Sequence, residues 1–390
     1  MSFKWSTLGE LSIGGGKYGI SAPAVEFDRN LPAYLRITDI NDDGSLNLSG
    51  RKSVADPLAF DYMLQEGDIV FARTGSSTGR NYYYDLRDGD FAFAGFLIKF
   101  SLDKEKVNPR FIKYYVQSKP YWDWVSSFNT GSTRGNINAK TYAQMPVPLP
   151  DRDVQDAIVC LCDSLSNKIR VNNRLNDYLA ELGDALFNRE CPQSNEPNAI
   201  LSDIAQVTMG QSPSGSSYNE DGNGEVFYQG RAEFGAFFPR RRLFTTEPKR
   251  MAREGDTLMS VRAPVGDLNI ANEDCCIGRG LAAIHSENNQ SFVHYLVRAQ
   301  GRQLDTFNGD GTVFGSINGK ALKKLPVYLP SSDVIARLES RLEPIDALIR
   351  RNDDEMQALE RMRDTLLPRL MSGEIDVSKV DLTQPNNHLV

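Results

Sequence analysis

At 390 residues the chain is too long for one ordinary core, and 40% hydrophobic with 24% charged residues is a globular balance. No apolar run reaches the roughly 18 residues of a membrane span, and Met1-Ser2-Phe3-Lys4-Trp5 has no apolar signal core, so a cytoplasmic protein without a membrane partner is expected. Five cysteines (Cys160, Cys162, Cys191, Cys275, Cys276) with no C-x-x-C, and three histidines without ligand spacing, argue against a disulfide framework, a metal site and His-based catalysis.

In chain order, residues 1–150 open with Trp5-Ser6-Thr7-Leu8-Gly9-Glu10-Leu11 and a glycine-rich turn at Gly14-Gly15-Gly16. An acidic turn, Glu66-Gly67-Asp68, leads into the short apolar strand Ile69-Val70-Phe71-Ala72 and then the polar loop Arg73 to Asn81. A short helix from Asn108, the loop Asn129 to Asn136, and Ile137-Asn138-Ala139-Lys140 followed by Met145-Pro146-Val147-Pro148-Leu149-Pro150 close the block. Residues 151–190 carry apolar side chains every third or fourth position: Val154, Ile158, Leu161, Leu165, then Leu175, Leu179, Leu182 and Leu186, with polar Lys168 and Asn172 between. Held over more than four heptads, that spacing predicts a coiled-coil helix.

A linker then opens a second copy. Residues 191–330 repeat the acidic turn as Glu254-Gly255-Asp256, the polar loop from Arg262, and the closing run as Ile317-Asn318-Gly319-Lys320 with Leu325-Pro326-Val327-Tyr328-Leu329-Pro330. The second helix, residues 331–373, sits 180 positions after the first, with Leu348, Asn352 and Leu359 in its seam; residues 374–390 form a tail. The chain is thus an internal duplication of α/β class. Asn172 and Asn352, at equivalent positions, are the polar pair that fixes helix–helix register, with Leu161, Leu165, Leu175, Leu179, Leu348 and Leu359 around them. Pro344 predicts a kink, or a helix that starts after Glu343. Such helices suit a linker, a homodimer seam, or a ruler between two half-sites on an extended target.

The net charge of −7 is uneven. Residues 1–150 hold 17 basic and 16 acidic side chains and residues 197–330 hold 14 of each, so the acidity lies on the helices. Searching for catalysis yields little: there is no phosphate-binding G-x-x-x-x-G-K-[ST], no dinucleotide fingerprint, no Asn/Asp-Pro-Pro-aromatic adenine pocket and no nuclease carboxylate cluster. No catalytic residue and no metal ligand is assigned, and Asp85, Asp88 and Asp90 read as solvated turn acids. Arginine suits guanine, Asn and Gln suit adenine, and Ser and Thr hold phosphates. The candidate DNA-binding residues are therefore Arg73, Ser76, Thr78, Arg80, Asn81, Ser132, Thr133, Arg134 and Asn136 in the first block. In the second they are Arg231, Arg240, Arg241, Arg242, Arg262 and Arg279.

These features in this order, with the ending Leu366-Leu367-Pro368-Arg369-Leu370-Met371-Ser372-Gly373-Glu374-Ile375, resemble the specificity (S) subunits of Type I restriction–modification systems. The resemblance implies two small globular α/β target-recognition domains separated by two long antiparallel coiled-coil helices, with pseudo-two-fold symmetry. It implies that each domain reads one half of a bipartite double-stranded DNA target and the helices set the spacer. Two methylation (M) subunits would bring S-adenosylmethionine, and restriction (R) subunits ATP and Mg. A recognition subunit of a methylase-only or other phage-defence complex, and a coiled-coil scaffold, are the competing readings.

Overall fold

The computed structural model describes residues 3–128, 135–192, 194–308, 315–375 and 377. Two compact units emerge, Met1–Lys168 with Ala358–Val390, and Ile169–Gln357, so each long helix contributes a segment to both.

In the first unit β1 (Lys4–Thr7) pairs antiparallel with β10 (Pro146–Leu149). One four-stranded sheet comprises β2 (Lys17–Tyr18), β9 (Leu97–Ser101), β6 (Asp68–Ala72) and β7 (Asn81–Tyr83), in that order. A second orders β3 (Ala24–Glu26), β5 (Lys52–Val54), β4 (Ala33–Leu35) and β8 (Phe91–Phe93). Strand β6 is buried throughout, because successive side chains enter different cores. Ile69 and Phe71 pack with Ile98, Phe100 and the helices α1 (Pro109–Tyr115), α2 (Lys119–Ser126) and α3 (Ala139–Ala143). Val70 and Ala72 pack with Leu35, Tyr82 and Phe93 on the other face.

The second unit repeats the plan. Its β11 (Ala199–Ile200) pairs with β21 (Pro326–Val327). One sheet orders β12 (Gln206–Met209), β20 (Leu281–His285), β17 (Thr257–Ser260) and β18 (Leu268–Ile270). The other orders β13 (Tyr218–Asn219), β15 (Leu243–Thr245), β14 (Glu225–Tyr228), β19 (Cys275–Ile277) and β16 (Met251–Ala252). Met259, Ala282 and Ile284 face a core with the helices α5 (Gln290–Ala299), α6 (Gly301–Asp305) and α7 (Gly319–Lys323), whereas Leu258, Leu281 and Ala283 face the other way.

The repeated motifs acquire physical roles. In the acidic turns, Gly67 and Gly255 both take φ +88°, and the aspartate that follows accepts a turn N–H: Gln65 N to Asp68 at 2.9 Å and Arg253 N to Asp256 at 2.8 Å. In the Ile-Asn-x-Lys runs the asparagine caps a short helix, Asn138 accepting from Thr141 N at 2.9 Å and Asn318 from Ala321 N at 3.0 Å. The prolines that follow lie in β10 and β21, in two-stranded sheets where a missing N–H is tolerated.

The long helices are α4 (Arg152–Glu190) and α8 (Ser332–Met371). Within the second unit they run antiparallel, as Arg337–Glu190 at 3.0 Å, Asn352–Asn176 at 2.8 Å and Glu355–Asn172 at 2.7 Å show. Within the first unit Ile158, Val159 and Cys162 share a core with Leu367, Leu370 and Met371. Helix α8 is continuous across Pro344, whose ring lies on an exposed face, so a start after Glu343 is excluded.

The seam differs from a strict heptad. Asn172, Asn176, Ala180 and Phe187 are buried on α4, and Leu338, Leu342, Ile345, Ile349, Asn352 and Met356 on α8. Leu175, Leu182 and Leu348 instead remain 38%, 49% and 37% exposed, while Leu161, Leu179 and Leu359 are half-buried. Leu165 is buried. A heptad repeats every 3.5 residues and a straight helix every 3.6, a drift of about 20° per heptad. The steps of four from Asn172 to Asn176 to Ala180 rephase the seam, so Leu175 and Leu348 do not hold register.

Short helices lean on the long ones through tyrosine–aspartate bonds, Tyr114 Oη donating to Asp163 at 2.5 Å and Tyr295 Oη to Asp346 at 3.0 Å. The Glu339 carboxylate of α8 accepts from Ser291 N and Phe292 N in the first turn of α5 at 3.1 and 2.7 Å, supplying the cap that Asn289 lacks.

Burial raises the Asp346 carboxyl from 3.8 to about 6. Between about pH 4 and 6 the native state therefore holds a proton that the unfolded chain has released, and stability falls as pH rises through that window. Asp346→Asn should flatten this dependence and stabilise the chain by about 3 kcal/mol at pH 7, with little gain at pH 4, measured by denaturant unfolding. Asn352→Ala should cost about 1–3 kcal/mol by orphaning the buried Asn176 amide. Asn352→Ala and Asn176→Ala together should cost less than the sum of the two, read in a double-mutant cycle.

Candidate nucleic-acid interface

The loop after β6 is anchored by its backbone. Ala72 N donates to Arg80 O, Gly79 N to Ala72 O, and the buried hydroxyls of Tyr121 and Tyr142 donate to Gly79 O and Ala72 O. Gly79 takes φ +92°, and a Cβ there would meet Val125 at 2.6 Å. The loop after β17 follows the same course one residue shorter, with Ser260 N donating to Asp267 O and Gly266 N to Ser260 O, at Gly266 φ +97°.

On this scaffold the candidates separate. Ser76 and Asn136 are exposed, and Asn136 bridges to Thr74, which brings the two loops of the first unit together. Ser132, Thr133 and Arg134 lie outside the described residues. Thr78 is half-buried, its hydroxyl directed at Gly75 O and Gly135 O, both at 2.8 Å. Arg80 pairs with Asp42 at 2.7 Å and reaches Ile40 O. Asn81 is 1% exposed, its amide donating to Gly79 O and Val116 O and accepting from Gln117. Asn81 is therefore a strut of the core, too buried to contact DNA.

In the second unit several of the arginines are tied to carboxylates. Arg231 pairs with Asp267 at 2.8 Å, Arg241 grips Glu273 with two bonds of 2.5 and 2.6 Å, and Arg242 pairs with the buried Glu233 at 2.5 Å. Arg241 and Arg242 thus brace the loop they lie on, and Arg240 beside them is also engaged. Arg262 and Arg279 are exposed and have no ion pair with a described residue. Both lie next to the bond from Val261 N to Gly280 O that continues the β17–β20 pairing, with Ser316 bridged to Arg262 and Ser212 Oγ accepting from Arg279 N.

The turn acids Asp85, Asp88 and Asp90 have local partners. Asp85 caps a 3-10 turn at Arg87 N, and the Arg87 guanidinium holds its carboxyl down at about 2. Asp88 and Asp90 accept from the hydroxyls of Tyr82 and Tyr84 at 2.8 and 3.5 Å. Among the described residues no group of three His, Cys, Asp or Glu could hold a metal ion, and no helix is long and apolar enough to cross a membrane. The cysteines are free, and burial pushes the Cys162 thiol up to about 12.

Two arginine–aromatic clusters escape a reading of residue types. Arg73 lies over Tyr18 and Phe96, and Arg51 over Phe27 and Phe91; each has a buried Nε with no hydrogen-bond partner. Tyr18, Phe96 and Phe27 lie far from these arginines in sequence, and only the folding of the chain unites them.

The sequence matches the family described as Type I restriction modification DNA specificity domain over residues 31–181 and 198–361. It is 30% identical over 344 residues to the MjaX type I restriction enzyme specificity subunit of Methanocaldococcus jannaschii, covering 81% of this chain and 80% of the relative. It is 19% identical over 463 residues to the HindI specificity subunit of Haemophilus influenzae, covering 94% and 99%. The fold is similar to that of the Type-I restriction-modification S subunit from M. genitalium, with a TM-score of 0.56 at 17% identity, covering 94% and 96% of the two chains.

Arg262→Ala and Arg279→Ala should each weaken DNA binding and lower its log–log salt slope by about 1 if the side chain meets a phosphate. Asn81→Ala should lower the melting temperature instead and leave sequence preference unchanged, read by filter binding and thermal unfolding.

Proposed function

The chain belongs to the Type I restriction–modification DNA specificity family, and from that membership we propose that each globular domain reads one half of a bipartite DNA target. The observation that carries the reading is the repetition of one loop scaffold with different side chains: half-buried Arg73 with exposed Ser76 and Asn136 in one copy, exposed Arg262, Arg279 and Ser316 in the other. A shared scaffold supplies the same approach to a duplex, and unlike side chains supply different base contacts. The helical seam, by this reading, sets the length of the unread spacer.

The chain acts as a recognition subunit without chemistry of its own. Methylation subunits supply S-adenosylmethionine and restriction subunits supply ATP and Mg. A surface for a methylation subunit is available on α4, where Val171, Leu175, Tyr178 and Leu182 leave 55%, 38%, 52% and 49% of their area exposed along one helical stripe. The equivalent positions on α8 are Arg351, Glu355, Ala358 and Met362, so two methylation subunits would meet different surfaces.

Expression with a methylation subunit, followed by sequencing of host DNA for methylated adenines, tests the reading. A split motif is expected, and exchanging residues 1–150 for the corresponding block of a relative should change one half of it alone. An unsplit motif, or a change in both halves, would refute the assignment.

A further inference from the structure

The two units share a backbone frame at one place where their side chains differ as a set. Arg73 N donates to Phe96 O at 3.1 Å, and Val261 N to Gly280 O at 2.9 Å. Ile137 N donates to Arg73 O at 2.9 Å, and Ile317 N to Val261 O at 3.0 Å. Gly19 N donates to Leu97 O, and Gly210 N to Leu281 O. A Cβ on either glycine would meet a carbonyl oxygen at 2.2 Å, so the close strand approach is the same in both. These bonds align Arg73 with Val261, Phe96 with Gly280 and Tyr18 with Met209. Arg262, by the same alignment, corresponds to Thr74.

In the first unit Arg73 lies against both of the other aligned residues. The Arg73 guanidinium carbon lies 5.1 Å from the Tyr18 ring centroid and 5.9 Å from that of Phe96, rings that are 42% and 55% exposed. Tyr18 is held in turn by its hydroxyl, which accepts from Ala139 N at 3.2 Å. Arg73 has no carboxylate partner among the described residues, and its Nε is buried without a hydrogen bond. In the second unit a methionine, a valine and a glycine stand in these places, and the Met209 side chain fills the space beside Gly319.

Resting on the DNA-reading proposal above, we infer that the Tyr18–Arg73–Phe96 clamp is the guanine-reading element of the first domain. Two rings against the guanidinium limit its freedom, and with Nε buried the donors left for a ligand are those of the two terminal nitrogens. That planar fork matches the adjacent O6 and N7 acceptors that guanine presents in the major groove. A phosphate could accept from the same fork. Phosphates are alike in every half-site, however, and a contact to them gives no reason for one copy of a shared frame to carry the clamp and the other to lack it. Replacement of all three residues together, on an unchanged backbone, is what a change of base preference requires.

The test uses the full chain, with a methylation subunit, selecting from a random duplex pool. Wild type should select a split motif with an essential guanine in one half. Arg73→Ala and Arg73→Lys should lose the preference for that guanine by about 10- to 100-fold while the other half-site is unchanged. Placing 7-deazaguanine there, which removes N7 alone, should weaken wild type about 10-fold or more and leave Arg73→Ala unaffected. Tyr18→Leu, with the arginine intact, should give an intermediate loss, and thermal unfolding checks that each variant is folded. Equal weakening on all sequences would make Arg73 a phosphate contact and overturn the inference, as would additive losses from 7-deazaguanine and Arg73→Ala. Both results leave the DNA-reading proposal standing. Selection of no sequence by wild type would overturn that proposal and this inference with it.

Discussion

The pairing of buried amides between the two long helices is the constraint on which the second unit's helical part depends. Asn176 has no exposed area, and it accepts from Asn352 while donating to Ile349 O; Asn172 donates to Glu355. A sliding of one helix by a turn would leave these groups without partners in an apolar seam. The penalty for that is larger than the net gain from forming them. Specification of register, more than added stability, is what such a layer supplies. The surrounding Ala180, Ile345 and Ile349 contribute apolar burial that would tolerate several alignments.

Around the helices, each unit solves the same packing problem with the same sequence devices. An acidic turn with a left-handed glycine starts the central strand, and that strand alternates its side chains between two cores. An asparagine-capped short helix and a proline-bearing strand then return the chain to a long helix. None of these devices involves the loop side chains. The loops are accordingly free to differ, and the carboxylate pairs of Arg231, Arg241 and Arg242 have no counterpart in the aromatic clamp of Arg73. On the proposed reading, DNA contacts fall on the variable part of a frame whose stability lies elsewhere.

Much of this was legible in the residues. The duplication, the long helices, the two α/β blocks and the resemblance to specificity subunits all rest on local patterns: periodicity, capping residues and turn chemistry. The candidate side chains were less legible. Asn81 has the residue type of an adenine reader but sits at a strand start, where its amide saturates backbone groups of Val116 and Gly79. Arg240, Arg241 and Arg242 look like a basic patch, and two of them are paired with glutamates, Glu233 nine residues back and Glu273 more than thirty residues on.

What the sequence by itself determined, then, is the order and type of the elements, because hydrogen-bonded turns, caps and helix periodicity act between near neighbours. Tertiary structure alone decided the phase of the helical seam, since 3.5- and 3.6-residue repeats differ only after the helices are set against each other. It also decided which arginines are free of carboxylates among the described residues and which lie against aromatic rings. Those outcomes depend on strand pairing over tens of residues, and no local preference encodes them.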